Sequence, residues 1–130
     1  MAVSRQARAA TVFEVTRGEC RLPIRLSARS YHGYGKRTLV MTFSKFGRRV
    51  AENASQGTDH GAAAPMFLAG TRVRAGLVGE HPNLDELEDG DVKFHTDFRQ
   101  VYATLLERWL GWSSKPVLGG AFKPIDALRV

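Results

Sequence analysis

Scarcities in this 130-residue chain exclude more than its abundances reveal. With Cys20 as the single cysteine, neither an intramolecular disulfide nor a thiolate-rich metal site can form. No apolar run approaches the roughly 20 residues that a membrane-spanning helix needs. The amino terminus is basic, yet it has no apolar stretch of signal-peptide length before a small-residue cleavage site, so nothing in it reads as an export address and the location stays open. Ser44 lacks a Gly-x-Ser-x-Gly surround, which disfavours a serine-nucleophile elbow. Residues 1–37 contain no aspartate, so they offer no carboxylate of that kind to a metal ion.

What is present describes a globular domain. Hydrophobic residues make up 43% and charged residues 25%, enough to build one core in a chain of this length. The net charge is +6, and its placement is uneven: residues 1–37 hold eight Lys or Arg against two Glu, while residues 38–130 are balanced. A basic arm of this kind contacts phosphates or anionic surfaces. It lacks a helical stripe of cations and regular aromatic interleaving, so nucleic acid is not the expected partner.

Along the chain, residues 1–37 have no sustained periodicity and are expected to be a poorly ordered leader, with a short helix through Ala10 and a strand over Thr11–Val15 as its local elements. The texture changes at Thr38. Thr38-Leu39-Val40-Met41-Thr42-Phe43-Ser44 reads as a strand covered on both faces, as in a parallel sheet. Val50–Asn53 reads as a turn of helix, and residues 54–64 as a polar loop with Gly57 and Gly61 around Asp59-His60. Pro65-Met66-Phe67-Leu68-Ala69 reads as a second strand, Pro65 being tolerated as its first residue. Residues 71–90 form a surface excursion whose acidic cluster (Asp85, Glu86, Glu88, Asp89, with Asp91) has no calcium-loop spacing.

A helix over Asp97–Leu110 is the clearest element. Thr96 is its N-cap, Asp97 favours its first turn and Gly111 ends it. Phe98, Val101, Tyr102, Leu105, Leu106, Trp109 and Leu110 make one wide apolar stripe. In the tail, Val117, Leu118, Phe122, Ile125 and Leu128 are available to pin it to the body.

Asp59-His60 is the one place that suggests chemistry. A carboxylate beside an imidazole on a glycine-flanked loop suits a divalent ion with oxygen and nitrogen ligands, and because adjacent side chains diverge, each could serve one ion of a two-metal site. The plainer alternative is a capping aspartate beside a solvent-facing histidine. His81 and His95 read as loop-anchoring residues, and His32 has no assigned role. Ser44 stands at the carboxyl end of the first strand, where open α/β sheets place ligands.

Four runs, in order, carry a resemblance: Thr38 through Arg49, Gly57-Thr58-Asp59-His60-Gly61, Pro65 through Gly70, and Asp97 through Gly111. They resemble the carboxyl-terminal part of the domain of unknown function 1501 family, itself similar to the alkaline phosphatase and sulfatase superfamily. The resemblance spans about residues 37–128 and implies an α/β fold: a partial alkaline phosphatase-like mixed sheet between helices, with a site for divalent zinc, calcium or magnesium at one sheet edge. It implies Asp59 and His60 as metal ligands and relatives that are often exported.

Two departures stand beside it. Lys45 occupies a position where the family commonly has a carboxylate, and the early nucleophile and aspartate ligand of the superfamily have no counterpart in residues 1–37. The expectation is therefore a carboxyl-terminal fragment of a metal-dependent phosphate or sulfate ester hydrolase, inactive alone and not holding metal stably, with residues 38–130 as the domain piece and the missing amino-terminal part as its natural partner. The rival expectation is a non-catalytic binding module whose basic arm contacts nucleic acid or anionic surfaces. If Ser44 and His60 share a pocket, the strand from Pro65 must run antiparallel to the strand from Thr38. Absent sheet neighbours would then leave apolar surface uncovered.

Overall fold

A computed structural model describes residues 9–13 and 34–129. Its centre is β5 (Ala63–Gly70), flanked by β1 (Ala9–Phe13) on one side and β2 (Leu39–Met41) on the other. β1 runs parallel to β5, from Ala9 opposite Ala63 to Phe13 opposite Phe67. β2 runs antiparallel, with Leu39 opposite Gly70 and Met41 opposite Leu68. The sheet is thus mixed, and the predicted antiparallel pairing of the two apolar strands is observed.

Alternation explains why β5 is the middle strand. Met66 and Leu68 point to one face and are 3% and 1% exposed, the period-two pattern of a strand whose inner face is covered. Pro65 is not the first residue of β5, as expected from sequence, but its third. It is tolerated because β2 pairs only with Leu68–Gly70, so the side of β5 facing β2 has no ladder bond to lose at Pro65.

The first apolar strand differs more. β2 has three residues rather than seven, pairs only with β5 among the described residues, and is not a doubly covered parallel strand. Thr42 continues the contact by a different route: its amide donates to the Phe67 carbonyl at 2.9 Å, while its hydroxyl accepts from the Phe67 amide at 2.9 Å. The chain then turns outward, leaving Phe43 71% exposed. A continuous apolar run does not distinguish a central strand from an edge strand whose last residues leave the sheet.

Two antiparallel hairpins lie beside this sheet. β3 (Gly47–Glu52) pairs with β4 (Thr58–Gly61), replacing the predicted helical turn and polar loop. Asn53 makes that turn: its Oδ1 accepts from the amides of Ser55 at 3.0 Å and Gly57 at 3.1 Å. β6 (Leu87–Glu88) and β7 (Asp91–Val92) enclose Asp89-Gly90, whose φ values of 52° and 82° are those of a primed turn. This hairpin sits within the acidic excursion, and Arg49 ties it to β3 through Asp91 at 3.4 Å and the Asp89 carbonyl.

The predicted helix starts one residue later and ends differently. α1 covers Phe98–Thr104, and the N-cap is Asp97 rather than Thr96. The Asp97 carboxylate accepts from the Arg99 amide at 2.9 Å, and Gln100 reaches back to the Asp97 amide at 3.3 Å, which is a capping box. Leu105–Trp109 then form a π-helical turn, in which the Leu110 amide donates to the Leu105 carbonyl at 3.0 Å. The extra residue in that turn rotates the end of the helix off the stripe, and Leu110 is 54% exposed although periodicity places it inside.

Val101 of α1 joins Met66, Leu68, Val73, Ala127 and Leu128 in the core, with Leu39, Met41, Phe98, Tyr102, Leu105 and Ile125 packed around it. The tail is pinned as expected through Ile125 and Leu128, the latter bridging to Val73 in antiparallel fashion. Val117 does not take part. It lies on the short α2 (Lys115–Leu118) and is 63% exposed. The expectation of a poorly ordered leader falls largely on residues 1–8 and 14–33, outside the described residues. No helix among the described residues is long and apolar enough to cross a membrane.

Candidate functional site

The candidate site sits on the β3–β4 hairpin. Consecutive strand residues project to opposite faces, so the extended backbone of β4 sends Asp59 and His60 apart. Gly61, next in the strand, is buried with no room for a side chain: a Cβ there would lie 2.7 Å from the Arg48 carbonyl carbon. At the start of β3 a Gly47 Cβ would lie 1.5 Å from the Ala63 carbonyl oxygen. Gly47 lets the hairpin press directly onto the first residue of β5, while Gly61 lets β4 lie close against the β3 backbone at Arg48 and Arg49, and together they fix where His60 stands.

Asp59 is exposed and already engaged. Its Oδ1 accepts from Asn53 Nδ2 at 3.0 Å, so the carboxylate closes the turn made by Asn53. His60 lies under Phe46, ring centroids 3.5 Å apart and planes inclined by 21°. Its cross-strand partner is Arg48, whose Nη1 donates to the Thr58 carbonyl at 2.7 Å. Ser44 Oγ donates to the Phe46 carbonyl at 2.6 Å, so Phe46 links Ser44 to His60. The structure thus brings Ser44, Phe46 and His60 together at one end of the β2–β5 pair and places Asp59 on the other face of the hairpin.

This donor set does not fit a metal ion by itself. Asp59 and His60 face away from each other, and Arg48 is paired directly across from the imidazole. A divalent cation needs several oxygen or nitrogen donors converging on one point. Among the described residues, no three His, Cys, Asp or Glu side chains converge in that way.

The remaining histidines separate in the same manner. His95 Nδ1 lies 3.4 Å from Glu80 Oε2 on the surface, and His81 is exposed. His32 and Cys20 lie outside the described residues. The acidic cluster is occupied by cations of the chain itself, Glu86 with Lys93 at 3.5 Å and Asp91 with Arg49 at 3.4 Å.

Sequence reasoning missed Phe46, Arg48 and Asn53 as neighbours of the Asp-His pair. Asn53 had a readable signal, an asparagine four residues before Gly57 between two short extended runs. The cross-strand placement of Arg48 against His60 had none, because register appears only once strands pair.

No curated protein and no solved structure matches the chain. A family match does exist. It covers residues 27–117, including β2 to β7, the candidate hairpin, all of α1 and most of α2 as well as the last residues of the basic leader. On that match the chain belongs to the DUF1501 family, proteins of unknown function.

Proposed function

We propose that this chain forms part of an alkaline phosphatase-like hydrolase domain and does not turn over a phosphate or sulfate ester alone. Membership of DUF1501, together with the resemblance of the four sequence runs to that superfamily, supports the ancestry. The single observation that carries the inactivity is the divergence of Asp59 and His60 on β4, with Arg48 paired against the imidazole. In this reading Asp59 and His60 are ligands for separate ions, and the remaining donors come from elsewhere.

The experiment is direct. The purified chain, dialysed against zinc, magnesium or calcium, is assayed for metal content and for hydrolysis of an aryl phosphate and an aryl sulfate. Sub-stoichiometric metal and no turnover are expected. One equivalent of tightly held zinc together with robust turnover overturns the proposal.

A second reading is favoured by Lys45, which puts positive charge where the family commonly carries an acid, and by Arg48 opposite His60. It is a non-catalytic module whose basic arm contacts nucleic acid or an anionic surface. A salt-dependent affinity that disappears when residues 1–37 are neutralised supports it, and an affinity indifferent to those charges removes it.

A further inference from the structure

The opposite end of the β2–β5 pair carries a different chemistry. There a 3-10 turn, Tyr34–Arg37, leads into β2, and the chain leaving β5 turns back through Thr71 and Arg72. Because Leu39 is registered against Gly70, this turn and Arg72 meet at the same edge. Trp109, last residue of the π-helical turn, closes the side. Lys36, Arg37, Arg72 and Trp109 line a cleft of about 250 Å³, and among the described residues its lining holds no carboxylate.

Of these cations, Arg72 is held in place. Arg72 Nε donates to the Arg129 carbonyl at 3.2 Å, and the Arg129 amide donates to the Arg72 carbonyl at 2.7 Å, so the tail clamps Arg72 on both sides. The Arg72 guanidinium lies over the Trp109 ring, 5.4 Å from its centroid. π-helical turns often sit at functional sites, since the inserted residue aims side chains that regular helix does not. Here it aims the indole at the guanidinium.

We propose that this cleft is a binding site for a phosphoryl group. Three positive charges around one opening suit a dianion, and a guanidinium fork matches tetrahedral oxyanions in a bidentate way that a neutral ligand cannot exploit. The volume falls just below the roughly 300 Å³ at which small-molecule sites usually begin, so the phosphoryl group brings a small organic body. The site does not depend on the hydrolase reading. β5 spans eight residues between the two ends, roughly 23 Å at strand rise, which separates the cleft from His60.

Intrinsic fluorescence reports on the site. The chain has two tryptophans, and in a Trp112→Phe background the remaining indole, Trp109, belongs to the cleft. Inorganic phosphate, glucose 6-phosphate, and vesicles of phosphatidylcholine with or without phosphatidic acid are titrated. Saturable change with either phosphate probe, weakened at least tenfold by Arg72→Gln and by the double change Lys36→Gln with Arg37→Gln, is expected. Response to the soluble probes assigns a soluble phosphorylated ligand; response to the phosphatidic acid vesicles alone, lost with the same substitutions, assigns a lipid headgroup.

Lys123→Gln removes one charge from the exposed tail and is expected to leave the affinity unchanged. An equal loss with Lys123→Gln, or no loss in either cleft variant while circular dichroism shows both folded, overturns the proposal. So does the absence of saturable binding to every probe. Lys36 is exposed, so its substitution tests the site even where Arg72→Gln unsettles the tail.

Discussion

Replacing Thr104 by Val tests how the tail is fastened to the helix. Thr104 is fully buried in the last turn of α1. Its hydroxyl donates to the Gln100 carbonyl at 2.7 Å and accepts from the Ile125 amide at 2.8 Å. Valine has nearly the same shape but cannot accept, so the Ile125 N–H becomes a buried donor without a partner. That costs about 1–3 kcal/mol. The methyl that replaces the hydroxyl returns on the order of 0.8 kcal/mol by burial. The net loss is about 0.2–2 kcal/mol, or up to roughly 8 °C in Tm for a chain of intermediate size.

Urea unfolding measures the first quantity and calorimetry the second, while hydrogen exchange at the Ile125 amide reads the mechanism. Thr104→Ser keeps the hydroxyl and should keep that amide protected, whatever the lost methyl costs. A Thr104→Val protein as stable as the parent, with Ile125 still protected, refutes the reasoning that one hydroxyl joins the tail to α1.

Asp97→Ala removes the N-cap and the bidentate contact with Arg99, and should lower stability by about 1–2 kcal/mol in chemical denaturation. The hydrogen bond to Asp97 raises the pKa of Arg99, so the stability this guanidinium contributes is full below its unfolded pKa and lost only as pH rises through the higher folded value; the Arg99 side of the pair should show no titration between about pH 5 and 9. Gly47→Ala should destabilise by about 3 kcal/mol or more, since its Cβ meets backbone rather than a movable side chain, whereas Gly57→Ala, 3.7 Å from the nearest side-chain oxygen, should stay within about 1 kcal/mol of the parent in the same urea titration. Trp112→Ser should leave stability within about 0.5 kcal/mol and reduce aggregation seen by light scattering, because that indole is 69% exposed.

Local chemistry alone placed the helix, the second apolar strand and the pinned tail. Phe98, Val101, Tyr102 and Leu105 recur at helical spacing, Met66 and Leu68 alternate, and Ile125 and Leu128 are apolar in an otherwise irregular stretch; each pattern depends on neighbours a few residues away, which the sequence displays. Asp97 and Gln100 also carried a legible capping box, although Thr96 is an equally good capping residue and only backbone geometry chose between them. Asp89-Gly90 was a hairpin signal of the same local kind inside a run that otherwise reads as solvated acid.

Pairing decided the rest. Whether Leu39–Met41 lies in the middle or at the edge of a sheet depends on which strand comes alongside, and β5 came alongside only one flank. The divergence of Asp59 and His60 followed from residues 58–61 becoming a strand rather than a loop, in a hairpin where Gly61 lies close against β3 and Gly47 lies flush on Ala63. The meeting of Lys36 and Arg37 with Arg72 and Trp109 required β2 to run against β5 and a π-helical turn to aim the indole. Such long-range contacts leave no trace in spacing, because the residues that make them are strangers in sequence and become neighbours only when the sheet closes.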